Sequence, residues 1–226
     1  MSRLYRELLE TITAEIVAGD RQPGEMLPKE TDLAEQFEVS RGVAREGIRA
    51  LQERGLVDVK HGKGATVTPA NRWDVLSPDV LGAALRSRRA SGMIEAYLES
   101  RRILEVPAAE IAARRASAQQ LDEVRAAHEA MRRAASRRSP RAEELFHATD
   151  QRFHQALARA THNAALAQMI ERIHSAIYAA WSSELPLRER YARAIKEHQA
   201  ILDAVVDGDP EAAGSAMQQH LEIRRP

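Results

Sequence analysis

The sequence predicts a mainly α protein in two parts: a small N-terminal unit ending in a β-hairpin, then a larger all-α bundle. Three observations carry this prediction. Apolar residues recur at three- and four-residue spacing through most of the 226 residues, the period of a helix with one buried face. Short alternating strand-like runs flank one glycine-rich turn near residues 61–64. Beyond residue 78 the pattern stays helical, broken by Gly, Pro, Ser and Asn. With 44% hydrophobic and 29% charged residues, the chain can bury a real core.

Composition narrows the function classes. The absence of cysteine excludes a disulfide framework, a thiolate zinc site and a cysteine nucleophile. No apolar run approaches the ~18 residues of a membrane span, and the amphipathic, acid-bearing N-terminus is unlike a secretory signal. A soluble, cytoplasmic protein is expected. The 33 basic and 33 acidic residues cancel, but unevenly. Residues 1–39 hold four bases and nine acids, net −5, whereas residues 40–64 hold six bases and three acids, net +3.

The elements follow in order. Leu4, Leu8, Leu9, Ile12 and Ile16 share one face of a first helix, which Gly19 and Pro23-Gly24 end. Thr31 to Phe37 forms a short second helix with Leu33, Ala34 and Phe37 inward. Glu38-Val39 makes a tight turn. Ser40 then suits the N-cap of a third helix, because its hydroxyl can accept from a first-turn amide. Val43, Ala44, Ile48 and Leu51 are that helix's buried face, and Gly55 stops it. Leu56-Val57-Asp58-Val59 and Ala65-Thr66-Val67 read as strands around His61-Gly62-Lys63-Gly64. Residues 1–69 thus form one domain and 70–77 a linker. Residues 78–226 form an all-α domain of about seven helices, near 79–88, 92–115, 118–136, 140–161, 164–184, 187–206 and 209–224.

Helix, short helix, turn, helix and hairpin in this order make a winged helix-turn-helix, a frame that reads double-stranded DNA. The third helix fits the major groove, with residues near its N-terminus reaching base edges. Arg41 and Arg45, four apart, project from one face there, and either can grip a guanine through O6 and N7. Arg49, one turn on, suits a phosphate. At the hairpin tip, Gly62 permits close approach to the backbone or minor groove, beside His61 and the charge of Lys63. Against this stands simple solvation of an exposed helix face, which is an even match for any one arginine but a poor account of the set.

The bundle carries the second constellation. Seven of the eight histidines lie beyond residue 120. Asp150 and His154, at i and i+4, share a helix face. His198 lies on the next helix but one and His220 near the end of the last. One carboxylate and three imidazoles suit a borderline divalent ion, with up to two positions left for water or an effector carboxylate. His147, seven residues before His154, is a spare ligand; His128, His162 and His174 are assigned to surface, cap or core.

These residues resemble a known family. Pro23-Gly24, Leu27-Pro28-Lys29-Glu30, Leu33-Ala34, Val39-Ser40-Arg41, Arg45-Glu46, Ile48-Arg49, Gly55-Leu56-Val57 and Gly62-Lys63-Gly64 together resemble the GntR family of bacterial regulators. There the positions matching Arg41, Arg45 and the His61-Gly62 wing contact operator DNA. Many members carry arginine where this chain has Thr31, and Lys29 partly substitutes. Asp150 to His154, Ala158-Arg159, Asn163, Glu197-His198, Gly208 to Ala213, Met217 and His220 are similar to the FCD effector domain of the FadR subfamily. Arg101, Glu105 and the alanines at 108, 109, 112 and 113 are similar to its opening helix.

The resemblance implies that Asp150, His154, His198 and His220 bind a divalent metal, often zinc, sometimes nickel or manganese. It implies that Arg101 pairs with an acidic effector, a guanidinium offering two parallel donors to a carboxylate. An internal pair between Arg101 and Glu105, also i and i+4, is the alternative. The connector Trp73 to Leu81 is similar to one in members that sense sugar acids such as galactonate. The expectation is a homodimeric repressor of a carboxylate or sugar-acid catabolic operon, not an enzyme, whose operator affinity a small organic acid changes. An architectural DNA-binding dimer and a metal-dependent hydrolase or isomerase are the alternatives. The second lacks an obvious general base beside the ligands, although Glu197 adjoins one.

Overall fold

A computed structural model describes residues 3–60, 62, 64–87, 91–137, 141–181 and 188–222. Its contacts divide the chain into two compact units, Met1–Ile94 and Glu95–Pro226.

In the first unit, α1 (Arg3–Ala18) buries Leu8, Leu9, Ile12 and Ile16, as their spacing requires. Leu4, predicted on that face, is exposed, because it sits in the first turn beyond the reach of the core. α2 (Glu30–Gln36) turns inward through Leu33 and Ala34. The turn after it uses Glu38 at φ 53°, a left-handed conformation that L-residues other than Gly and Asn seldom adopt. α3 (Arg41–Glu53) is capped by Ser40, whose hydroxyl accepts from the Val43 amide at 3.3 Å. Gly47 lets α1 approach: a Cβ there would lie 2.6 Å from Leu8 Cδ2.

β1 (Val57–Lys60) and β2 (Gly64–Val67) pair antiparallel from Val57↔Val67 to Lys60↔Gly64. Between the strands Gly62 sits at φ +74°. The segment before α2 joins the sheet edge, Leu27 N donating to Ala65 O at 2.8 Å and Val67 N to Glu25 O at 2.9 Å.

The predicted linker is an ordered strap. It opens with a 3-10 turn at Ala70–Arg72. Trp73 Nε1 donates to Thr68 O at 3.3 Å, and Asp74 N to Arg54 O at 2.8 Å. Gly55 makes this possible: its φ is +69°, and a Cβ would stand 2.1 Å from Arg72 O. The sequence pattern groups the next helix, α4 (Pro78–Arg86), with the bundle. In the structure it packs on α1 instead. Val80 joins the core of Leu8, Ile12, Leu33, Leu51 and Leu56, and Arg54 at the end of α3 pairs with Asp79 in the first turn of α4. The physical reason is that the apolar stripe of Val80, Leu81, Ala83 and Ala84 finds its nearest unfilled apolar surface on α1, where it is buried.

The second unit is helical throughout its described residues: α5 (Ser91–Arg115), α6 (Ala118–Ser136), α7 (Ala142–Ala160), α8 (Ala164–Trp181), α9 (Arg188–Val206) and α10 (Pro210–Leu221). Ser117 and Gln120 cap α6 reciprocally, and Asp209 caps α10 ahead of Pro210. The core gathers Phe153 and Leu157 of α7, Ile201 and Val205 of α9, Met217 of α10 and the small residues Ala109 and Ala112 of α5. Gly214 brings α10 close to α5, since a Cβ there would lie 2.6 Å from Glu110 Oε1. Pro107 lies inside α5 and removes one amide from its ladder, six residues after Arg101 and two after Glu105. Among the described residues no helix is long and apolar enough to cross a membrane.

Candidate nucleic-acid face and candidate metal centre

α3 is amphipathic, and its outer face is where the sequence places the DNA-reading arginines. Ala44, Gly47, Ile48, Ala50 and Leu51 are buried, while Arg41, Arg45 and Arg49 are exposed. Among the described residues neither Arg41 nor Arg45 is held in an ion pair. Arg49 Nε stands 3.5 Å from Glu53 Oε1 with both side chains about two-thirds exposed, a weak surface pair. Lys29 is exposed at the start of α2, where its backbone amide donates to Asp32 Oδ2 at 3.3 Å. The Thr31 hydroxyl is turned to Asp32 Oδ1 at 3.0 Å. Gly62 is exposed at the hairpin tip with open space around its Cα. His61 and Lys63 lie outside the described residues.

In the bundle, three helices bring Asp150 and His154 (α7), His198 (α9) and His220 (α10) together, one donor atom from each lying within 4.8 Å of the others. His154 and His198 are fully enclosed, and Phe153 packs edge-on against His198 with ring centroids 4.7 Å apart. His198 Nε2 stands 3.2 Å from His154 Nε2 and 3.1 Å from Asp150 Oδ1.

The other ring nitrogens explain why these atoms face each other. His198 Nδ1 is 2.6 Å from the Ala194 carbonyl, and His220 Nδ1 is 3.1 Å from Glu197 Oε2. His154 Nδ1 is 2.6 Å from Glu105 Oε2. His198 and His220 can each donate from Nδ1 to these acceptors, whereas His154 Nδ1 makes only a close contact with Glu105. One carboxylate oxygen and three imidazole nitrogens thus converge, a donor set that fits a divalent metal ion. The protonation states agree. Burial lowers His154 to about 3, in spite of the Glu105 charge, and burial with the neighbouring His198 lowers His220, so both imidazoles are neutral. Burial disfavours the Asp150 charge, yet the hydrogen bond from His198, with His154 and His220 close by, holds its carboxyl well below the usual range.

A second group adjoins the first. Glu105, His154 and His174 also converge within 4.8 Å. Glu105 is 2% exposed, with Arg101 Nε at 2.6 Å and His174 Nε2 at 3.0 Å. Arg101 is partly buried at the edge of this group, its terminal nitrogen 3.4 Å from His174 Nε2. The internal Arg101–Glu105 pair is thus formed, within the same cluster as the histidines. His147 is not among the converging residues; its Nε2 lies 4.0 Å from Glu143. His128 is a core histidine reaching Ile195 O at 3.2 Å. His162 sits at φ 56° after α7 and reaches Arg115 O at 3.2 Å. His174 and Glu105 are the residues that sequence reasoning passed over as site members. His174 sits four residues after buried Ile170 and next to buried Ile173, so a polar group on the inward stripe was the available signal.

A winged helix-turn-helix unit followed by an all-α bundle with a buried histidine–carboxylate cluster is the architecture of a transcriptional regulator. Residues 4–67 match the bacterial regulatory proteins of the gntR family and residues 96–223 match the FCD domain, so the chain belongs to the GntR family and carries an FCD domain. It is 32% identical to the galactonate operon transcriptional repressor of Escherichia coli K12, over 91% of this chain and 88% of that protein. It is 31% identical to the Uxu operon transcriptional regulator of the same organism, over 97% of this chain and 84% of that one. Among solved structures, a Listeria monocytogenes protein described as Lar, controlling expression of the agr system, shares the fold. The TM-score is 0.65 at 19% identity, over 98% of this chain and 94% of that one. These relatives are transcriptional regulators, not enzymes, and DNA is the partner that the gntR-type domain implies.

Proposed function

We propose that this regulator is a homodimeric repressor of a carboxylate or sugar-acid catabolic operon, released by a small organic acid that binds in the FCD bundle. The observation that carries the proposal is the convergence of Asp150, His154, His198 and His220 near the partly buried Arg101. The names of the galactonate and Uxu operon regulators support the sugar-acid assignment. Asp150, His154, His198 and His220 would hold a divalent ion, zinc first, with nickel or manganese as substitutes. When bound, that ion supplies positive charge and open coordination positions for an anionic ligand.

Arg101 orients the effector by presenting parallel N–H donors to its carboxylate, in competition with Glu105. The first 94 residues form the reading head. In it Arg41 and Arg45 read bases, Arg49, Lys29 and Lys63 meet phosphates, and the wing at His61 and Gly62 approaches the minor groove. Two heads in a dimer engage half-sites about one helical turn apart. To take operator occupancy from 1:99 to 99:1, an effector must favour one state by about 5.5 kcal/mol. The test is a gel-shift titration of the zinc-loaded protein on the DNA upstream of its own and adjacent genes, with and without a panel of hexonates and hydroxy acids. Release by one acid, lost in Arg101→Met, is expected. Operator binding indifferent to every acid would refute effector control.

A further inference from the structure

The buried carboxylate of Glu105 touches both the histidine cluster and the arginine. Three cationic or N–H-bearing groups face it: Arg101 Nε at 2.6 Å from Oε1, His174 Nε2 at 3.0 Å from Oε1, and His154 Nδ1 at 2.6 Å from Oε2. The last approach is close but oblique. Arg101 adds a longer contact from its terminal nitrogen to Oε2 at 3.4 Å. A buried charge is tolerated only with such compensation. Glu105, His154 and His174 have the residue types of a second cation site, but the Arg101 guanidinium already fills the cationic role there.

We propose that Glu105 is a positioning residue of the metal centre: its Oε2 holds His154 by Nδ1, aiming Nε2 at the ion, while Arg101 and His174 hold its Oε1. The inference rests on the reading of Asp150, His154, His198 and His220 as the ligands. A carboxylate behind a ligating imidazole fixes the tautomer and ring orientation and raises the basicity of the ligating nitrogen. Of the three ligating imidazoles, His198 has a neutral carbonyl behind it. His220 has Glu197, which Arg193 Nε also engages at 3.0 Å and which is part-exposed. Only His154 has a fully buried carboxylate, so it is the ligand whose hold on the ion depends most on a second residue. Arg101 draws on the same carboxylate, so removing the arginine leaves more of its charge to His154.

The experiment uses the full chain, stripped and then titrated with zinc alone against a chromophoric chelator. The variants are Glu105→Ala, Glu105→Gln and Arg101→Met, and cobalt(II) absorption spectra are recorded on each. Glu105→Ala is expected to weaken zinc binding ~10–100-fold with unchanged stoichiometry. Glu105→Gln keeps an acceptor oxygen but loses the charge, so it falls between Ala and wild type and shifts the cobalt bands. Arg101→Met moves zinc affinity the opposite way. A purely structural ion pair predicts something else: similar losses of thermal stability in the Glu105 and Arg101 variants, with wild-type zinc affinity and cobalt spectrum in Glu105→Gln. That result overturns the proposal and leaves the ligand assignment standing. If Glu105→Ala fails to fold, Glu105→Gln decides. Wild-type protein that binds no zinc overturns both.

Discussion

Chelating the metal from the loaded protein should destabilise the bundle selectively. The four donors come from α7, α9 and α10, helices far apart in sequence, so the unfolded chain holds no such site and an ion binds the folded state alone. At free zinc a thousandfold above its dissociation constant, the ion contributes about 4.1 kcal/mol to folding. For a chain of this size that corresponds to roughly 8–16 °C in Tm, at about 2–4 °C per kcal/mol. Calorimetry before and after a strong chelator, on protein whose zinc content has been measured, reads the effect. Two units can give two transitions, and only the one carried by the bundle should move. His198→Ala should melt alike with and without chelator. A zinc-loaded wild type whose bundle transition ignores the chelator refutes the reasoning.

Arg41→Ala and Arg45→Ala should each cost about 1–3 kcal/mol of operator binding and little non-specific binding, measured by fluorescence anisotropy on operator and scrambled duplexes. The winged unit is acidic outside its reading helix and wing, so the slope of log K against log salt should fall well short of the −10 or so of a strongly basic repressor. Gly55→Ala forces a Cβ to 2.1 Å from Arg72 O at φ +69° and should destabilise the winged unit by about 2–5 kcal/mol, read by chemical denaturation. The metal-free bundle should lose stability as pH falls from about 6.5 toward 3. His154 is lowered to about 3 by burial, so over that window the unfolded state binds the proton and the folded state does not. Glu105 and Asp150, held ionised by their partners, act in the same direction as pH drops through the carboxylate range. Urea midpoints that stay level or rise on acidification would contradict this.

Much of the fold is legible in the chain because local chemistry and tertiary demand agree. The helix over 118–136 is bounded by Ser117 and its capping partner Gln120, and the break at 208–210 combines a left-handed Gly with a capping Asp and a Pro. The wing hairpin follows from Gly62 and Gly64, both at positive φ. The strap at 70–77 and the docking of α4 are different, since they depend on contacts of Gly55, Arg54 and Asp79 with residues about 17 to 25 positions away. Periodicity can say that α4 has an apolar stripe, not which surface covers it.

The site divides the same way. Residue type and i, i+4 spacing pair Asp150 with His154 and Arg101 with Glu105, because helix geometry alone puts those side chains on one face. His198 and His220 join them as the inward candidates of the last two helices, and the family resemblance supports the set. Sequence by itself therefore determined the mainly α architecture, the winged reading head with its arginine face, and the identity of the four converging donors. Only the tertiary structure decided that His174 and Glu105 enter the cluster, that Arg101 is held against that carboxylate, and that the His198 and His220 Nδ1 atoms meet acceptors. The reason is physical: helical periodicity fixes which side a residue faces, but the partner it meets depends on how five helices pack, and that information is spread over the whole bundle.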